Sequence, residues 1–293
     1  MSPKKRLTIL MADDGSQHAH SAVELIRDLS LPAKSHIMVL RVFTPGQIDA
    51  LPDLQAALDA TRGQLLRTGS MVESELLLGS PAEKIIEMAR KRKPDLIVMG
   101  AKGLRATLGI LLGGVAQQVV EYSTCPTLVV RAPYLGLHRV LLVVDGSPTS
   151  QQAVRYLVKF PLPENVDVRI MHVLPPALQP IGMEPHLDGW RYQQILAEAD
   201  AALLHRQEKK GRALLDRTCS LLLQKGIGAT PLLSRGDAAT EIIDHAKANK
   251  IDLIVAGSRG LSQFKGWWMG SVSRKLVHYS NCSVLIVKGP GKE

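Results

Sequence analysis

Gly257-Ser258-Arg259-Gly260 is followed by nine residues and then by Gly270-Ser271-Val272-Ser273, which opens a helical pattern. Glycines admit positive φ and close backbone approach, and the free N–H groups and macrodipole of a helix N-terminus favour an anion such as phosphate. Ser271 and Ser273 would add hydroxyl donors, and Arg259 a flexible positive charge. A turn leading into a serine-capped helix is the plainer alternative, and the spacing alone leaves both open. A second candidate is Asp14-Gly15-Ser16, repeated as Asp145-Gly146-Ser147, each just after an apolar run. A carboxylate there can accept a hydrogen bond from a ligand amino or hydroxyl group, although for this motif alone a turn or N-cap role is favoured.

The elements that must hold these residues occur twice. Residues 79–130 align with 236–287 at a constant offset of 157, and 22 of the 52 positions are identical. The Asp-Gly-Ser motifs and the pair Val42 and Val173 differ by 131 instead, so the second copy holds 157 − 131 = 26 extra residues. They fall within about 175–225, where a Pro-rich loop leads into a long helical pattern. We therefore divide the chain at 1–134 and 135–293. Continuous Val/Ile/Leu runs alternating with helical patterns predict strands covered on both faces and right-handed parallel crossovers. The expected fold is α/β, with two tandem doubly wound, mainly parallel five-stranded sheets flanked by helices. Ligands of such sheets bind beyond the carboxyl ends of the strands, where the strand order reverses.

The pattern G-x-x-G-x(9)-G-S, downstream of a strand and Asp-Gly-Ser, resembles the universal stress protein family, twice and over nearly the whole chain. The resemblance implies an adenine nucleotide alpha hydrolase-like fold. It also implies ATP or ADP as ligand, with Mg2+ as a candidate companion; one branch of the family binds ATP through this loop and another lacks the motif. Residue by residue, it implies that Asp145, with Gly146 and Ser147 beside it, and the backbone of Val173 meet adenine and ribose. Gly257, Arg259, Gly260, Gly270, Ser271, Val272 and Ser273 would hold ribose and phosphates. The first copy keeps Asp14, Val42, Gly100, Lys102, Gly103 and Gly113, but Gly114 and Ala116 replace the two serines. A hydrogen bond to a charged group is worth roughly 1.5–3 kcal/mol, so this second site is expected to be degenerate. Family domains commonly pair through the last strand, which implies Thr127–Val130 against Val284–Val287 within one chain and a homodimer as a candidate assembly.

No P-loop, no Ser-Gly-Gly-x-Asp-Ser loop of the related ATP pyrophosphatases and no general base accompany the glycine loop, so sensing or signalling is expected rather than rapid catalysis. The rival reading is a nucleotide-free scaffold or a small-ligand or lipid carrier acting through the inserted segment. The formal charge of +9 divides after Gly136 into 16 − 13 = +3 and 20 − 14 = +6. The basic runs Arg90–Lys93 and Lys209–Arg212 lie in helical patterns without interleaved aromatics, so no nucleic-acid partner is expected. Apolar runs are far shorter than the ~20 residues of a membrane span. The basic start leads to Asp13 and Asp14 instead of a signal-peptide core, so a cytoplasmic location is expected. Three cysteines without a C-x-x-C pair read as reduced thiols, and the histidines lack ligand spacing. Trp267-Trp268-Met269 matches the apolar Ile110-Leu111-Leu112 and is expected to pack. The inserted helix is expected to lay Ile195, Leu196, Ala199 and Leu203 on the other domain.

Overall fold

The computed structural model describes residues 6–103, 112–177, 189–260 and 269–289, with backbone alone for 189–200. The first domain runs β1 (Thr8–Ala12), α1 (Gln17–Asp28), β2 (His36–Phe43), α2 (Leu51–Leu66), β3 (Met71–Leu78), α3 (Pro81–Arg92), β4 (Leu96–Gly100), α4 (Gly114–Tyr122) and β5 (Thr127–Val130). The second repeats it: β6 (Arg139–Val143), α5 (Pro148–Leu157), β7 (Asp167–Leu174), α6 (Gly189–Leu223), β8 (Ala229–Arg235), α7 (Ala238–Ala248), β9 (Leu253–Gly257), α8 (Ser271–Tyr279) and β10 (Ser283–Val287).

Within each domain the strands pair in parallel, in the order β3-β2-β1-β4-β5 and its equivalent β8-β7-β6-β9-β10. The order reverses between β1 and β4, and between β6 and β9, so a crevice opens at the carboxyl ends of those pairs. The two five-stranded sheets were expected to meet at their last strands, Thr127–Val130 and Val284–Val287. They are joined: β10 runs antiparallel to β5, with Val284 opposite Val129, Leu285 opposite Leu128 and Ile286 opposite Thr127, giving one ten-stranded sheet. All residues of β5 and β10 are buried. A bare apolar edge here would leave a row of backbone donors and acceptors unpaired, and the antiparallel partner satisfies them. Alternate residues of each central strand enter different cores, Met11, Leu128 and Leu285 on one face and Leu10, Val129 and Ile286 on the other. Both cores run unbroken through the two domains.

The structure narrows the extra segment. Leu58, Thr61 and Leu65 are the buried stripe of α2, and Leu215, Thr218 and Leu222, each 157 further on, are buried in α6. The start of α2 therefore corresponds to residue 51 + 157 = 208, and the additional residues precede it. Of the residues expected to pack on the other domain, only Leu203 has a described side chain. α6 lies mainly against β7 and β8 of its own domain, and Leu203 is 45% exposed. A helix inserted before the β7–β8 crossover helix simply extends it along the same sheet face. Ile195, Leu196 and Ala199 have side chains outside the described residues, as do Trp267, Trp268, Ile110 and Leu111; Met269 and Leu112 are both buried.

Cys125 and Cys282 occupy equivalent places just before β5 and β10. Burial raises the pKa of both thiols, that of Cys282 to about 12, and burial also raises that of Cys219. A raised pKa means that the fold favours the neutral thiol, so thiolate forms only as the pH climbs well above the usual range. At pH 8 the folded protein should react slowly with a thiol-specific disulfide reagent at all three positions, and rapidly after unfolding in urea. Fast stoichiometric labelling of Cys125 or Cys282 in the native protein would contradict their burial.

Candidate functional site

The carboxylate after the first strand does two things at once. Asp145 Oδ1 accepts the Ser147 N–H at 2.9 Å, closing a turn in which Gly146 has φ +82. Its other oxygen, Oδ2, faces Gly260, where a Cβ would stand 2.9 Å away. Ser147 then caps α5, accepting the Ser150 N–H at 3.2 Å, and donates to the Arg259 carbonyl at 3.2 Å. The first domain repeats each contact: Ser16 N–H to Asp14 Oδ1 at 3.0 Å, Ala19 N–H to Ser16 Oγ at 3.2 Å, and Ser16 Oγ–H to the Lys102 carbonyl at 3.0 Å. A Cβ on Gly103 would lie 2.6 Å from Asp14 Oδ2. The turn role and the ligand-facing role are therefore compatible, because the two carboxylate oxygens divide them.

Four of the six spaced glycines, Gly100, Gly103, Gly257 and Gly260, are needed for close approach, and positive φ is not the reason. None of Gly100, Gly103, Gly113, Gly257, Gly260 and Gly270 is among the positive-φ residues, whereas Gly15 and Gly146 are. A Cβ on Gly257 would lie 2.6 Å from the Thr149 carbonyl carbon and 2.8 Å from the Ser150 nitrogen; on Gly100 it would lie 2.9 Å from the Ala19 nitrogen. These glycines let the start of α5 or α1 press against the strand end. Gly270 N–H donates to the Ser258 carbonyl at 2.8 Å, and Gly113 N–H to the Ala101 carbonyl at 2.8 Å, so one backbone bond brings the two ends of each nine-residue excursion together. Gly257→Ala forces backbone against backbone and should cost about 3 kcal/mol, the upper end of ordinary overpacking. Gly114→Ser, with nothing within 4 Å of its Cβ, should cost almost nothing. Urea midpoints of the two variants check this, and equal midpoints would show that Gly257 is not a contact of necessity.

The helix that follows is anchored at one residue. Ser273 is buried, and its hydroxyl donates to the Gly257 carbonyl at 2.7 Å. Its proton is thus engaged in holding α8 on the end of β9. Ser271 is exposed at the first position of the helix, next to the Val272 and Ser273 N–H groups, which the geometry of a helix start leaves without helical partners. At this helix start the copies therefore differ in one exposed hydroxyl, Ser271 against Gly114, together with Arg259 against Lys102.

Asp145, Val173, Arg259, Gly260, Ser271 and Val272 line one cleft of ≈ 120 Å³. Gly257, Gly270 and Ser273 also border it, whereas Gly146 and Ser147 support it from behind. The equivalent cleft of the first domain is larger, ≈ 310 Å³, and is bordered by Asp14, Val42, Gly100, Gly103, Gly113 and Gly114; Lys102 is not on its lining. Two residues of the second site were not picked out from the sequence. Thr149 Oγ1 donates to the Arg259 carbonyl and so fixes the loop to the start of α5. His172 lines the cleft, its Nδ1 2.8 Å from the Val144 carbonyl. The position of Thr149, two residues beyond Asp-Gly-Ser, was a usable signal for the first; for His172 the repeat offered only a mismatch with Arg41. Among the described residues no three His, Cys, Asp or Glu side chains group as a metal cluster, and no helix is long and apolar enough to cross a membrane.

Comparison with known proteins agrees with this architecture. The profile of the universal stress protein family matches residues 5–131 and again 136–288. Universal stress protein YxiE of Bacillus subtilis is 31% identical over 153 residues, spanning 52% of this chain and 99% of its own length. A universal stress protein of Mycolicibacterium smegmatis is 26% identical over 228 residues, covering 75% of this chain and 70% of that protein. The crystal structure of a universal stress protein from Archaeoglobus fulgidus is similar in fold over 98% of both chains, with TM-score 0.69 and 20% identity. With its profile matched twice and a doubly wound sheet in each half, the chain belongs to the universal stress protein family, as two domains in tandem.

Proposed function

We propose that this protein binds ATP or ADP in the second domain and acts in a stress response by sensing or signalling. The observation behind this reading is the convergence on one cleft of Asp145 from the turn after β6, Arg259 from the loop after β9, and the α8 N-terminus with the Ser271 hydroxyl. A carboxylate suits the hydroxyls of a ribose. Arg259, a hydroxyl and unpaired helix N–H groups suit phosphate oxygens. The cleft is smaller than the usual 300–1,000 Å³ of ligand pockets, so a nucleotide would occupy it in part and lie along its open rim for the rest. Mg2+, if bound, would depend mainly on the phosphates, with Asp145 the nearby carboxylate. Without a general base at the phosphate end, hydrolysis would be slow and incidental.

The larger first-domain cleft supports a second reading, a carrier of a small apolar ligand, because Gly114 and Ala116 leave its mouth without hydroxyls. Mass spectrometry of gently purified protein separates the two. Co-purified adenine nucleotide, or tight binding of added ATP, is the expected result. Absence of both sinks the nucleotide reading. The two domains are expected to act as a pseudo-dimer, with homodimerisation a further step that sedimentation can measure.

A further inference from the structure

Arg131 and Lys288 end the last strands of the two domains and are related by the repeat, 288 − 131 = 157. Arg131 Nη2 donates to the Val277 carbonyl at 2.8 Å and the His278 carbonyl at 3.3 Å, both in the last turn of α8. Lys288 Nζ donates to the Val120 and Glu121 carbonyls in the last turn of α4. Those acceptors are again 157 apart, so one contact occurs twice, and each time it crosses from one domain to the other. The antiparallel β5–β10 joint produces it: each strand finishes beside the other domain's final helix. The carbonyls of a helix C-terminus lack helical partners and carry partial negative charge, so a buried cation there satisfies them and complements the dipole. Arg131 is 9% exposed, and its backbone N–H is held in turn by Ser283 Oγ at 3.2 Å.

The opposite ends of these helices are the ligand-facing ends. α8 spans nine residues, about 13 Å at 1.5 Å per residue, from Ser271 at the second cleft to the Arg131 contact. We infer that Arg131, supplied by the first domain, is a positioning residue for the anion-binding helix of the second domain, and that Lys288 does the same for the first cleft. The inference rests on the nucleotide reading above. It makes the second site incomplete without the first domain, although among the described residues none from the first domain lines that cleft.

The test uses the full-length protein. Affinities for ATP and adenosine are measured by titration calorimetry, and hydrogen exchange of residues 270–275 is followed without ligand. Arg131→Met should weaken ATP about tenfold, leave adenosine within about twofold, and speed exchange at the start of α8 about tenfold, as expected when a helix loses a charged cap. Arg131→Lys should recover part of each effect, and it replaces the Met variant in every comparison if that variant does not fold. Lys288→Met, a loss of equal kind on the other helix, should leave ATP affinity within about twofold. Unchanged ATP affinity and exchange in folded Arg131→Met overturns the inference, and so does an equal loss of ATP and adenosine, which would mark general destabilisation. If the parent protein binds no ATP, the nucleotide reading falls by itself, and the exchange rates still decide whether Arg131 holds α8.

Discussion

Gly270→Asp should weaken ATP binding roughly 100- to 1,000-fold while leaving the fold intact, through the loss of two or so charge-assisted hydrogen bonds. Gly270 is the N-cap of α8, with φ −73 and ψ 157. Asp is among the preferred residues in that extended conformation, and its carboxylate would accept the Val272 or Ser273 N–H. Those are the donors on which the proposed phosphate binding depends, so the side chain would occupy that site and repel a nucleotide as well. Space permits it: the nearest atoms to a Cβ are Arg259 Cα at 3.4 Å and Gly260 N at 3.5 Å. The thermal midpoint should therefore hardly move. Gly113→Asp meets the same geometry, with the Ala101 carbonyl oxygen at 3.4 Å, and should change total ATP binding little. Calorimetric titration of both variants decides the matter. Equal losses would refute the difference between the domains, and undiminished binding by Gly270→Asp would remove the phosphates from this cleft.

Arg41→Met should destabilise the protein by about 3–5 kcal/mol, the cost of stranding one member of a buried ion pair. Arg41 Nη2 lies 2.6 Å from Asp13 Oδ2, and both side chains are at most 5% exposed. Asp13 also accepts the Thr61 hydroxyl at 2.9 Å and the Gly15 N–H at 2.9 Å. The second domain dispenses with the pair. At the offset of 131 it has Val144 and His172, with Thr218 in the place of Thr61. That difference supplies the control: the double variant Asp13→Val with Arg41→His removes both charges together and should recover most of the loss. Urea unfolding of the three proteins measures this directly. A shift below about 1 kcal/mol for Arg41→Met would mean that the pair contributes no more than an exposed one.

Much of the site was legible because spacing encodes it. The glycines and Asp-Gly-Ser turns lie at strand ends, where local sequence decides the backbone path, and each feature occurs twice. Asp145, Val173, Arg259, Gly260 and Ser271 meet in one cleft as their motifs suggested. The bond made by Ser273 was not legible for a physical reason. A hydroxyl two residues into a helix reads as available in one dimension, but the Gly257 carbonyl that takes its proton is 16 residues away and is brought near only by the loop closing. Arg41 and Asp13 were likewise opaque, since a charge in an apolar strand announces burial only once its partner, 28 residues distant, is placed beside it.

By itself the sequence determined the duplication, the parallel pairing of strands within each half and several of the residues that line the second cleft, because periodicity and repeat offsets are local properties that survive without coordinates. Only the tertiary structure decided the antiparallel register that joins the two sheets, and that Arg131 and Lys288 cross to cap each other's helices. Those features depend on which hydrogen-bond donors and acceptors meet after folding. Partners 146 to 168 residues apart leave no periodic trace in the chain.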